Sequence, residues 1–262
     1  KLIATRSGGT LNGVTLNTDV SLSEDNALLT VVNGLVLNRT LSLENYNTTV
    51  FFSGTQTLGG TGSVVFANNQ DWQALSADTS DMTLTIGAGI TIRGGNGRFN
   101  DNSSAVIGQR RGAWWLTNVS VVNQGTISAD TSGRSLLVNT SGTGTFTNSG
   151  TIKAENGGQP YCKGRSGNMA VALVGTGSGV DLTGTYTLDQ RVTVGAGQTL
   201  SLNGSWTAPG GITVDGGTLN LGGTFTQDRL NIAGLVRTGG TVNITGTLDN
   251  SGGTLALNAA TG

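Results

Sequence analysis

The densest group of side chains able to engage a ligand is Arg110-Arg111-Gly112-Ala113-Trp114-Trp115. Two guanidinium groups beside two indole rings make a set that stacks on sugar rings or holds an anionic partner. Arg110, Arg111, Trp114 and Trp115 are therefore the candidate binding residues. A packing alternative stands beside this reading: neighbours on a strand face opposite sides, so one Trp would enter the core and the other would lie on the surface or at a subunit contact.

The carboxylates offer a second chemistry. Asp78 and Asp81 are a close pair within Ser76-Ala77-Asp78-Thr79-Ser80-Asp81, and glycosidases need two carboxylates about 5 Å apart, or about 6.5–9.5 Å apart for inversion. The same run has turn composition, in which Asp accepts local backbone hydrogen bonds. Asp71 and Asp101 join the pair only through the fold. The sequence contains no His, which removes the commonest general base and metal ligand. Cys162, the lone cysteine, has neither a disulfide partner nor a catalytic base, and is expected to be a buried or incidental thiol.

Other motifs are weaker. No carboxylate-rich calcium array is present, and Gly175-Thr176-Gly177-Ser178-Gly179 lacks the Gly-Lys-Ser/Thr and following helix of a phosphate loop, so it reads as a turn. Thr-x-Thr pairs such as Thr83/Thr85 and Thr145/Thr147 would bind ice only if aligned on one flat face. No catalytic residue, metal site or cofactor is expected, and the chain is not expected to be an enzyme.

The elements that position these residues are short strands. With 44 Gly, 2 Pro, 35% apolar and 11% charged residues, the chain is polar, yet its net charge of −1 and recurrent Val, Ile, Leu and Thr oppose disorder. The same neutrality supplies no basic stripe for nucleic acid, and no apolar run reaches the roughly 18 residues that cross a bilayer. Runs of the form Thr, apolar, polar or small, apolar begin at Thr40, Thr83, Thr199, Thr218, Thr241 and Thr254. This is the strand period, and the Gly and Asn between runs supply turns. No long helix is expected.

Such strands make either hairpins or the rungs of a solenoid, and internal repetition favours the solenoid. Val122-Asn123-Gln124-Gly125-Thr126-Ile127-Ser128-Ala129 is echoed by Thr147-Asn148-Ser149-Gly150-Thr151-Ile152-Lys153-Ala154, and loosely by Asn250–Ala256. Stacking in register would align the apolar residues into a thin core and set Asn side chains in ladders. At about 20 residues per coil the chain would form about 13 coils over on the order of 60 Å. The stretch 98–116 lacks clean alternation and is expected to be an irregular loop or distorted coil.

These Asn-x-Gly-Thr-Ile-x-Ala units, with Gly8–Leu16 and Thr30–Leu37, resemble the haemagglutinin-like and autotransporter-like passenger domains of bacterial surface proteins. The resemblance implies an all-β, right-handed parallel β-helix across 1–262, exported by a Gram-negative-type cell to its surface or surroundings. It lacks the Asn-Pro-Asn motif of two-partner export modules, and so corresponds to a shaft. The first reading is thus a non-enzymatic shaft of an adhesin-like protein. The second is a filament subunit joined end to end with other copies, and the third is a polysaccharide-binding or polysaccharide-cleaving β-helix. The expected partners are other copies of the chain, cell-surface glycans, or receptors on host or neighbouring cells; neither nucleic acid nor insertion of this segment into a membrane is expected. The chain begins without Met and ends beside a strand-like run, which is the expectation for a segment of a longer protein.

Overall fold

A computed structural model describes the chain apart from positions 69, 97–104, 111, 167–168, 252 and 255–262; for 163–166 and 232 it describes the backbone alone. The chain is a parallel β-helix of about 10 turns. Five of the six Thr-led runs open a strand where the alternation places it: Thr40–Leu43, Thr83–Ile86, Thr199–Thr207, Thr218–Leu221 and Thr241–Ile244. The sixth, from Thr254, runs into positions outside the described residues.

Each turn of the helix visits up to three faces. Face 1 is an eight-stranded sheet from Leu2–Ala4, through Thr40–Leu43, Thr91–Gly94 and Thr126–Ala129, to Ala170–Val174, followed by the three strands Val192–Gly195, Ile212–Asp215 and Leu235–Arg237. Faces 2 and 3 belong to one branched sheet. Leu28–Leu37 serves both: its first half pairs with Thr49–Phe52 and its second with Gln56–Gly60. The branches then run separately, through Ala74–Ala77, Ala105–Gly108 and Ser135–Asn139 on face 2, and through Thr83–Ile86, Ser120–Asn123 and Phe146–Asn148 on face 3. They rejoin in Gln159–Ser166. The cross-section is therefore two-limbed towards the ends and three-sided in the middle.

The sequence repeat is a structural repeat. Val122 and Asn123 stand in register with Thr147 and Asn148, and Thr126–Ala129 with Thr151–Ala154. Asn123 Nδ2 donates to Asn148 Oδ1 (2.7 Å), while its own Oδ1 accepts from Gly125 N (3.2 Å). This is the expected Asn ladder, and it is buried. Inside, columns of aliphatic residues climb the helix. One reads Leu29, Val50, Leu75, Ile107, Val138, Cys162, Leu182, Leu202 and Leu221, each in register with the next. Cys162 is thus one buried rung of an apolar column.

Two expectations need correction. The coil length is not uniform: neighbouring-coil contacts span 19 residues at Ser201 and Asn220, 25 at Asn123 and Asn148, and 37 at Asp81 and Asn118. Hence there are about 10 turns rather than about 13; at a rise of about 4.8 Å the rod is on the order of 50 Å long. The stretch 98–116 is also not irregular throughout. Positions 98–104 lie outside the described residues, but Ala105–Gly108 is a regular rung with Ala105 and Ile107 in the core. Its alternation is hidden because the outward Val106 is also apolar. Val106 joins Ala74 and Leu137, its register partners, in a second buried cluster on the outer side of face 2, with Tyr161 packed against it.

Among the described residues, helical structure is confined to Gln227–Leu230 and a following single turn of 3₁₀ helix. Among the described residues no helix is long and apolar enough to cross a membrane.

Candidate functional site

The corners between faces 2 and 3 grow and shrink along the rod. Between Phe52 and Gln56 the chain turns within residues 53–55; in the next coil it uses 78–82, and in the one after it uses 109–119. The added length of that third corner carries Trp114 and Trp115 outward.

Hydrogen bonds hold this loop at both ends. Gln109 N donates to Asn139 O (2.9 Å), and Asn139 Nδ2 donates back to Gln109 O (2.7 Å). The Gln109 side chain reaches across the loop, its Nε2 donating to Ala113 O (2.7 Å) and Leu116 O (2.8 Å). Ala113 and Leu116 are buried in the main core, so the loop is anchored by apolar contact as well. At the exit, Thr117 N donates to Ser80 Oγ (3.0 Å), Asn118 Nδ2 to Asp81 Oδ1 (2.6 Å), and Asp81 N to Thr117 O (2.9 Å).

Trp114 and Trp115 are 81% and 66% exposed, with ring centroids 6.1 Å apart and planes at 82°. The packing alternative, one ring in the core and one outside, does not hold. Strand alternation fails here because the pair lies on a turn, and the inward positions are filled by Ala113 and Leu116 instead. Arg110 turns away from the pair: its guanidinium carbon lies 5.5 Å from the centroid of the Phe51 ring, an outward residue of face 2. Arg111 lies outside the described residues.

The fold also brings the Asp pair to this corner. The turn bearing Asp78 and Asp81 is the one directly beneath the loop, in contact through Ser80 and Asp81. Asp81 adopts φ 55° and spends one carboxylate oxygen on the Asn118 amide, as a turn residue does. Asp78 is exposed, and its carboxylate accepts no hydrogen bond and enters no ion pair among the described residues. Asp71 stands at a different corner, between faces 1 and 2, where its carbonyl accepts from Asn47 N. Asp101 lies outside the described residues.

Next to Asp71, Trp72 holds φ 66°, in register with Asn26 and Asn47, which hold φ 61° and 53°. Left-handed backbone suits Asn and is strained for Trp. Sequence reasoning found neither this position nor the Phe51 contact of Arg110, since both depend on coil lengths that only the register reveals. A polar groove further along face 2 is lined by Gln159, Gly179, Asp181, Thr199 and Ser201; there Asp181 accepts from Asn203 Nδ2 (3.2 Å), tying two coils together.

The remaining motifs resolve simply. Gly175 and Gly177 take φ 77° in a turn before the strand from Gly179. Thr83/Thr85 and Thr145/Thr147 share face 3, but Val122 stands between Thr85 and Thr147, so the hydroxyl array is interrupted. Among the described residues no group of three His, Cys, Asp or Glu is placed to hold a metal ion.

No protein-family model matches this chain, and neither a curated protein nor a solved structure matches it.

Proposed function

We propose that this chain is a non-enzymatic shaft segment of an adhesin-like protein, displayed on or released from a bacterial cell of Gram-negative type. One observation carries the reading: the apolar columns and Asn ladders continue from coil to coil, so the recurrent design feature of the molecule is its length and stiffness rather than one cleft. A rod of this kind holds whatever it carries at a fixed distance from its base. The resemblance of the Asn-x-Gly-Thr-Ile-x-Ala units to passenger domains supports the location and organism class.

Cryo-electron microscopy of the protein in its native source, combined with surface labelling of intact cells, tests this. Isolated rods that project from cells and carry further domains are expected. Continuous fibres with coil-to-coil contacts between chains would replace the shaft by a self-assembling filament, and a wholly intracellular protein would remove both.

A further inference from the structure

We propose that the corner formed by Trp114, Trp115 and the Asp78–Asp81 turn is a binding site for a neutral glycan. The inference rests on the local geometry and does not require the shaft reading.

An indole ring exposed to water is costly to leave uncovered when the loop beneath it cannot fold it away. Here the loop cannot: Gln109, Asn139, Ser80 and Asp81 fix its backbone, while Ala113 and Leu116 occupy the inward space. The two rings are nearly perpendicular at 6.1 Å, so they form two walls of a step. A flat ligand stacks on one wall and abuts the other.

Three classes of ligand compete for such a step, and the surroundings separate them. A protein partner needs a contiguous apolar patch of several hundred Å². Among the described residues the other large exposed apolar side chains are Leu2, Ile3, Val36, Tyr46, Trp72, Val174, Val236 and Ile244, none of which lies in the corner turns at 78–82 and 109–119. The residues bonded where the loop leaves the pair are instead the polar Ser80, Asp81, Thr117 and Asn118. An anionic ligand would face the carboxylates of Asp78 and Asp81, while the guanidinium of Arg110 lies over Phe51 instead. A neutral pyranose fits both features: its C–H face packs on indole, and its hydroxyls donate to the exposed Asp78 carboxylate. Thr117, bonded to Ser80, is two residues from Trp115, at most about 7 Å along the chain. A short oligosaccharide stacked on the rings would thus extend towards the turn that carries Asp78.

The test uses the full chain and short neutral gluco-, galacto- and manno-oligosaccharides as probes, with a sulfated oligosaccharide and an aromatic-rich peptide as comparators, titrated by calorimetry. At least one neutral oligosaccharide is expected to bind with a dissociation constant of about 1 mM or tighter. Trp114→Ala and Trp115→Ala are each expected to weaken it about tenfold, and Asp78→Asn several-fold. All three side chains are exposed, so thermal unfolding should not move; a Gln109→Ala variant, which loosens the loop without touching either ring, should weaken binding while both rings remain. Failure of every neutral sugar to bind, or equal binding by wild type and both Trp variants, overturns the proposal. Preference for the sulfated probe or the peptide overturns it in favour of an anionic or a protein ligand.

Discussion

At the scale of single residues, burial decides which polar side chains hold the coils together. Asn123 and Asn148 form a ladder that is 0% and 2% exposed, whereas Asn12 and Asn33 make a similar 2.8 Å side-chain bond in solvent. Removing a partner inside leaves a dry donor or acceptor, which costs about 1–3 kcal/mol; outside, water takes its place. Asn123→Ala should therefore lower the urea midpoint by an amount equivalent to about 2 kcal/mol, and Asn12→Ala by less than about 0.5 kcal/mol. Equal losses would show that the buried ladder has no special role. The same logic applies to Cys162, set between Val138 and Leu182 in an aliphatic column. Its thiol should react with a maleimide only as fast as the rod opens, so labelling should accelerate steeply near the unfolding midpoint; rapid labelling of the native chain would contradict the burial. The residue scale is also where sequence reading reached least far. Trp114 and Trp115 were legible as binding candidates from their types, but that both point outward was not, because strand alternation was extended across a segment that is a turn.

Elements show why the recurrent Asn-x-Gly-Thr unit contains glycine. A Cβ at Gly150 would lie 2.0 Å from the carbonyl oxygen of Gly125, and one at Gly125 would lie 2.3 Å from that of Ile90. Neither position requires left-handed backbone; the demand is coil-to-coil closeness at the corner that leads into face 1. Gly150→Ala should thus force adjacent coils apart and cost about 1–3 kcal/mol. Gly9→Ala, whose nearest contact would be a Leu29 methyl at 3.8 Å, should be nearly neutral. Chemical denaturation of the two variants checks the contrast, and a neutral Gly150→Ala would mean the corner yields. Strand positions were legible for a related reason. Thr-led alternation marks rungs with one face buried and one wet, so Thr83–Ile86 and Thr218–Leu221 begin where the pattern does. Ala105–Gly108 escaped because both its faces are covered, and a rung buried on two sides has no alternation to read. The varying coil length escaped because corners carry no period at all.

For the whole molecule, a solenoid whose coils touch only their neighbours should tolerate removal of one complete coil and reject removal of part of one. Asn123 and Asn148 are register partners 25 residues apart. Deleting 123–147 joins Val122 to Asn148, restoring the Ser-Val-Val-Asn order of the face 3 rung, and sets Thr91–Gly94 beneath Thr151–Ala154 where Thr126–Ala129 had been. On face 2, Ala105 and Ile107 then meet Pro160 and Cys162, which keeps inward residues inward. The shortened chain should keep its β circular dichroism and cooperative unfolding, and small-angle scattering should show a rod shorter by about 5 Å. Deleting only 123–134 instead feeds a face 2 strand, Ser135–Asn139, directly from a face 3 strand, so every later rung arrives on the wrong face and the chain should not fold. Loss of folding in both deletions would mean that the coils are not interchangeable, and the rod would then have to owe its stability to particular residues such as the Trp206 and Phe225 rings, stacked 5.1 Å apart, rather than to repetition. Folding of the first and not the second is what a shaft requires, since its length can then change by whole coils without disturbing what it carries.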